Sequence, residues 1–477
     1  MVDGTETIEE AQSLLNGRPA KVVYDAAEKS ISVKFSDGEL ISQSDIIGVI
    51  PIEGELTHNL VYVKPSEQQG ESSGDPSFPE IRSLEAEDLP AAFISDYSIQ
   101  PQVERQSESR PHLDKIPTTH VVVSILAGTG LASSFFSSVL KPLFAILNIR
   151  EHEDYRVHYT KSVTTVTELT ENIFLPQANE GLAQRIILLS GDGGVVDVVN
   201  GLMSKVHTPT YTAPRIVLIP MGTGNALAHS SGVTRDNTWG LSTLARGTAK
   251  RLPLLKAIFS PGSRSIYDEG NKEEEIAIKT VDGNPVLFGA VVCSWGLHAA
   301  LVADSDTTEY RKYGLERFKM AAKENLFPSD GSTSHTYRAK VSLLKRDADG
   351  NEAWTVVQRD GHSYVLAALV SNLEKSFVIN PKSKPLDGHL RVIHFGNMNG
   401  QEVMRIMGLA YHAGKHVEEK EIGYEDVEGL SIDFTATEKD GRWRRICVDG
   451  KIVRIEENGW IEVTKEAGRV LQLNVLE

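Results

Sequence analysis

From His120 onward, short apolar runs alternate with stretches whose apolar residues recur at helical spacing. Strands are expected at 121–126, 155–160, 186–190 and 216–220. Helices are expected in the intervening SFFSSVLKPLF, TTVTELTENIF, VVDVVNGLM and NALAHSS segments. Strand–helix alternation of this kind predicts a parallel sheet flanked by helices over 120–250. Beyond about Arg251 the pattern changes to short strands joined by turns such as Asp349-Gly350-Asn351, which predicts an antiparallel β-sandwich over 251–477. Helical inserts interrupt it near Tyr310 to Asn325 and Gln401 to Lys415.

The first 65 residues alternate apolar and polar positions, with Ser36-Asp37-Gly38 as a hairpin turn, and predict a small β-rich module. From 66 to 119 the periodicity is lost and Ser, Pro, Gln and Glu dominate, the composition of an acidic flexible linker. The expected fold class is therefore α/β plus β: a parallel-sheet lobe, an antiparallel sandwich lobe and a small N-terminal β module.

Charge narrows the choice of partners. Across 477 residues the formal net charge is -16, which argues against nucleic acid as a partner. Any positive field must be local. The two cysteines, Cys293 and Cys447, sit in apolar strand-like runs and read as reduced core residues of a cytoplasmic protein. No signal peptide opens the sequence. The apolar runs fall short of the roughly 18 residues a spanning helix needs, so any membrane contact is expected to be peripheral.

Candidate chemistry is concentrated in glycines. Ser190-Gly191-Asp192-Gly193-Gly194 and Gly222-Thr223-Gly224-Asn225 each follow an apolar strand and open a helix. Such turns let a phosphate chain approach the backbone closely. Asp192 stands alone among the glycines as a candidate catalytic carboxylate, or as a turn-capping aspartate. Asp197 lies early in the next helix, and Asn200-Gly201 reads as a helix stop. Gly128-Thr129-Gly130 is a third turn, but it is neither a P-loop nor a dinucleotide fingerprint, because the closing Lys-Ser/Thr and the third glycine are absent.

The motifs SGDGGVVDVVNGLM and PMGTGNALA resemble those of the lipid kinase superfamily of diacylglycerol and sphingoid long-chain-base kinases, closest to the sphingosine kinase branch. Three further matches follow in order: Ala303-Asp304-Ser305-Asp306 through Tyr310-Arg311 and Arg317-Phe318, then Leu386-Asp387-Gly388-His389, then Val448-Asp449-Gly450. The resemblance covers about 120–477. It implies an ATP- and Mg²⁺-dependent lipid kinase that phosphorylates the primary hydroxyl of a sphingoid base, with peripheral membrane contact. A homodimer is left open. Diacylglycerol or ceramide is the alternative acceptor. A degenerate, weakly active binding protein and an NAD kinase are alternatives to the activity itself.

The same resemblance assigns roles. Asp192 would be the catalytic base. Ser190, Gly191, Gly193, Gly222, Thr223, Gly224, Asn225, Thr160, Ser124, Asp197, Asp449 and Gly450 would surround the nucleotide, and Arg311 and Arg317 would reach its phosphates. Asp306, or else Asp304, would hold the polar head of the acceptor, and Asp449 would be the metal ligand. Three departures stand out. Ser124 and Thr129 occupy places where the family has asparagine and lysine, Asp197 replaces a glutamate, and Lys451 reverses the charge of another. Lys451 is a candidate source of the positive charge that Thr129 lacks.

Overall fold

The computed structural model describes residues 8–52, 54–65, 78–99, 118–267 and 269–476. Among these the chain is a mixed α/β protein with four large sheets. The strands Tyr155–Tyr159, Thr119–Val123, Arg185–Ser190 and Arg215–Pro220 lie side by side in that order and run parallel. Every residue of Arg185–Ser190 is buried, which is why it reads as a continuous apolar run. The helix Asp192–Leu202 leaves the end of this strand, and the helix Ala226–Ser231 follows Arg215–Pro220. Both glycine turns therefore sit at the carboxyl edge of the sheet, where ligands of parallel sheets bind.

The last apolar run departs from expectation. Gln472–Val475 is not a sandwich strand; it pairs parallel to Arg215–Pro220, and Thr248–Arg251 pairs antiparallel to it. Leu473 and Val475 fill the same core as Ile216 and Leu218. A short strand carries no mark of the sheet it will join, so sequence order alone misplaced it.

Two antiparallel sheets, of six and eight strands, follow the parallel sheet. Phe259, Val341 and Leu430 of one sheet and Trp295, Val365 and Ile446 of the other share a single core. The other face of the eight-stranded sheet carries Tyr364, Leu366 and Ala368, which share a core with Val195, Val198 and Leu202 of the helix Asp192–Leu202. Period-2 alternation along His362–Ala368 thus ties the sandwich to the glycine-turn helix. Asn200 strengthens the junction: its Nδ2 donates to Phe288 O and its Oδ1 accepts from Phe288 N, at 2.8 and 3.0 Å. It is a stitch inside the helix rather than the expected stop, since the helix continues to Leu202. A Cβ on Gly201 would lie 2.7 Å from Thr170 Cβ, so the glycine serves close helix packing.

The N-terminal region is larger than its alternation indicated. Seven antiparallel strands run from Ile8–Leu15 to Glu80–Glu87, and the helix Ala91–Tyr97 follows. Glu80–Glu87, expected within the linker, pairs with both Ile8–Leu15 and His58–Lys64. Its sequence EIRSLEAE buries only Ile81 and Ala86, so the charges of its open face masked it. Nor is the module tethered loosely. Ile47, Val61 and Val63 share a core with Val121, Phe135 and Leu244. Arg246 donates to Ile47 O at 2.8 Å and lies 4.2 Å over the Tyr97 ring. The remainder of the expected linker, 66–77 and 100–117, lies outside the described residues.

Candidate active site

Three turns meet at the edge of the parallel sheet with backbone against backbone. A Cβ on Gly191 would lie 2.7 Å from Gly222 Cα, and one on Gly222 would lie 2.4 Å from Gly191 Cα. Gly128, at φ +56, would place a Cβ 2.4 Å from Met221 O. No side chain fits at these contacts. Gly193 differs: nothing lies within 4 Å of its Cβ position, so its backbone is open to the cleft. Ser190, Thr223 and Gly224 line the same cleft.

Asn225 shapes its turn instead of lining the cleft. It adopts φ 51, its Oδ1 accepts from Gly222 N, and its Nδ2 donates to Gly222 O, both at 2.9 Å. The next two amides are bound by Asp192, whose carboxylate accepts from Ala226 N at 2.8 Å and Leu227 N at 2.9 Å. One carboxylate therefore locks the two glycine turns together. Burial pushes the Asp192 carboxyl above its ordinary range, and the two amides work against that shift.

Asp449 is the second carboxylate. It occupies a hairpin between Arg445–Val448 and Lys451–Arg454, where Asp449 and Gly450 both have positive φ, 46 and 88, as a type I′ turn demands. Its side chain accepts from Ala290, Val291 and Val292 N, with shortest contacts of 2.5, 3.1 and 2.7 Å. Those amides are free because the chain leaves the six-stranded sheet at Gly289 and enters the eight-stranded one at Val292. Burial, and then the neighbouring Asp192, pushes the Asp449 carboxyl up to about 7 despite these bonds.

The remaining predicted residues divide. Thr160 is buried on the cleft wall and its Oγ1 accepts from Ile125 N at 3.0 Å. Ser124 lines the cleft, and its Oγ has no partner among the described residues. Asp197 also lines it, paired with Lys451 Nζ at 2.6 Å. Arg311 and Arg317 both reach Asp306: Arg311 in two bonds of 3.0 and 2.9 Å, Arg317 in one of 3.4 Å. The turn that brings them together is Gly314, at φ 52, between Tyr310–Tyr313 and the helix Glu316–Leu326. Asp306 and Arg317 line the cleft; Arg311 and Asp304 do not. Asp304 faces a separate surface pocket, held by Arg445 Nη1 at 2.8 Å and Asn325 Nδ2 at 3.1 Å.

The cleft encloses about 860 Å³. One end holds the glycine turns, Asp192 and Asp449. Beyond them the walls turn apolar, with Leu297, Leu301, Phe318, Leu326, Met404 and Met407. The helix Leu297–Ser305 and the cleft residues His298 and Tyr364 were not expected from sequence. LHAALVADS has apolar residues on every side, so it carries no helical period. The helix Gly400–Gly408 was expected, and its start is marked by Asn399, whose side chain accepts from Glu402 N at 2.9 Å. Among the described residues no cluster of three His, Cys, Asp or Glu side chains is placed to hold a metal. The carboxylates of Asp192 and Asp449 are both engaged by backbone amides.

Comparison with known proteins adds an independent line. The diacylglycerol kinase catalytic domain family matches residues 119–257. Human sphingosine kinase 1 is 24% identical over 328 residues, 62% of this chain and 77% of that one. Arabidopsis thaliana sphingosine kinase 1 is 24% identical over 254 residues, 50% of this chain and 45% of that one. A diacylglycerol kinase structure from Bacillus anthracis str. Sterne aligns with a TM-score of 0.43 at 15% identity, over 75% of this chain and 97% of that one. That structural likeness is too low to bear on function.

Proposed function

We propose that this chain, which belongs to the lipid kinase superfamily of diacylglycerol and sphingosine kinases, transfers the γ-phosphoryl group of ATP to the primary hydroxyl of a sphingoid long-chain base. One observation carries the reading: a single cleft joins close-packed glycine turns and two carboxylates to an apolar arm. Phosphoryl transfer needs in-line placement and charge neutralisation more than covalent help from the protein.

In this reading the backbone around Gly191, Gly193, Gly222 and Gly224 cradles the phosphates. The acceptor oxygen bonds to the γ-phosphorus as the bond from phosphorus to the bridging oxygen breaks, and ADP departs. The proton of the acceptor hydroxyl passes to Asp192. The two amides that fix this carboxylate supply its orientation, and burial, which raises its proton affinity, suits it to take the proton. Arg317 offsets charge on the phosphates, aimed by Asp306. Mg²⁺ carried on the phosphates would supply further neutralisation, with Asp449 as the residue that would hold it through water. No helix among the described residues is long and apolar enough to cross a membrane. Exposed Leu126, Val163 and Met404 at the cleft suit a peripheral contact with the membrane that holds the acceptor.

A second acceptor class has its own support. Asp306 is already shared by two guanidiniums, so a cationic amine must compete for it. A neutral headgroup, as in ceramide or diacylglycerol, would leave that triad intact. Incubation with radiolabelled ATP, Mg²⁺ and sphingosine, phytosphingosine, ceramide or diacylglycerol separates the readings, with Asp192→Asn as control. Label on a sphingoid base is expected. Label only on a neutral lipid would select the second class, and label on none would remove the kinase assignment.

A further inference from the structure

Tyr364 is 1% exposed, and its hydroxyl has no hydrogen-bond partner among the described residues. A buried phenol without a partner calls for a reason. The residue is fixed: its ring stacks on Phe395 at 5.2 Å with 5° between the planes. Along its strand, Val365 and Ala367 face the sandwich core, while Tyr364 lies on the opposite face, where it lines the cleft. His298 lines the cleft beside it, 6.0 Å away between ring centroids and edge to face. Ser294 Oγ takes His298 Nδ1 at 2.7 Å, which orients the imidazole and leaves its other nitrogen for a ligand.

Register places this pair along the cleft. The backbone N–H of Asp449 bonds to Val292 O, Ser294 lies two residues on, and Gly296, four residues on, pairs with Tyr364. Four residues of strand span ~13 Å. The pair therefore lies along the cleft wall leading away from the Asp449 hairpin, which it shares with Leu297 and Leu301 of the apolar arm. An unsubstituted alkyl chain passing there would leave the Tyr364 hydroxyl unpaired, whereas a hydroxyl on the chain would satisfy it.

We propose that His298 and Tyr364 form a hydrogen-bonding station that takes a further hydroxyl on the acceptor's chain, beyond the hydroxyls that every sphingoid base carries near its head. This rests on the lipid-kinase reading of the cleft and adds a specificity to it: long-chain acceptors bearing an extra chain hydroxyl are preferred. A site built to bond a hydroxyl discriminates strongly against the analogue that lacks it.

The test uses the full chain with sphinganine and phytosphingosine, which differ by one chain hydroxyl. The wild type is expected to favour phytosphingosine in kcat/KM. Tyr364→Phe is expected to lose about tenfold on phytosphingosine while sphinganine stays within about twofold. His298→Gln should shift the ratio the same way. Thermal shifts on adding each base without ATP give a second readout: larger with phytosphingosine in the wild type, equal in Tyr364→Phe. Differential shifts without phosphorylation of any lipid would sink the kinase reading and keep the station. Absent or equal shifts in the wild type, or equal losses on both bases in Tyr364→Phe, would overturn the station itself.

Discussion

Lys451 Nζ lies 2.6 Å from Asp197 Oδ1, across the junction between the glycine-turn helix and the Asp449 hairpin. The two side chains are 35% and 16% exposed and both line the cleft. Burial pushes the Asp197 carboxyl up, and Lys451 opposes that shift. Both positions are acidic in the family the sequence resembles, so here two departures answer each other. The pair sets a lysine in the cleft of the glycine turns, where the first turn offers Thr129.

Lys451→Glu would set two carboxylates against each other at this junction. ATP affinity is expected to weaken by about tenfold or more, with KM for ATP rising and KM for the lipid little changed. Isothermal titration with ADP or a non-hydrolysable ATP analogue checks it. Unchanged or tighter binding would remove Lys451 from the nucleotide site.

Asp192 latches the two glycine turns and is proposed as the base for the acceptor hydroxyl, and the two duties are separable. Asp192→Asn keeps a side chain of the same size, but its amide has one acceptor oxygen for the two N–H groups of Ala226 and Leu227. Phosphoryl transfer is expected to fall by roughly a hundredfold or more. Stability should fall by ~1 kcal/mol, from the weakened cap. Activity and urea denaturation measured on one preparation resolve the two. Full activity with lower stability would reduce Asp192 to a cap.

Asn225→Ala removes both bonds to Gly222 and places alanine at φ 51. The cost is expected at ~2 kcal/mol, from the lost bonds and the left-handed backbone. Because the turn loses its latch, ATP binding should fall while lipid-induced thermal shifts persist. Asn225→Gly tests the backbone share, since glycine accepts the positive φ and recovers only that part.

The three inner strands Thr119–Val123, Arg185–Ser190 and Arg215–Pro220 were legible because they are buried on both faces and leave apolar runs. The glycine turns were legible because backbone contact at Gly191 and Gly222 admits no other residue. Glu80–Glu87 was hidden by an open charged face, and Leu297–Ser305 by apolar residues on all sides. The Asp306 triad was legible as three separate residues, but not as a cluster. Gly314 makes it one, and a glycine's φ is not written in the sequence. Tyr364 and His298 belong to the site through pairing between distant strands and helices, which no local motif records.

Acid sensitivity is expected from His120, near the amino end of the strand Thr119–Val123. His120 is 1% exposed, with Nε2 3.2 Å from Gln177 Oε1 and Nδ1 3.2 Å from His158 Nε2. Since Gln177 Oε1 can only accept, Nε2 carries the proton, and Nδ1 accepts from His158. Burial lowers the His120 pKa to about 4, and the Gln177 bond opposes this only in part. The unfolded chain binds that proton near 6.5. Folding stability from this site is therefore fully present above pH 6.5 and is lost progressively as pH falls toward 4. The loss is of the order of 3 kcal/mol. Denaturant midpoints measured from pH 7.5 down to 4.5 should fall for the wild type. His120→Gln should flatten that fall by one site's share, because glutamine bonds without titrating; an identical slope in the variant would remove His120 as the source.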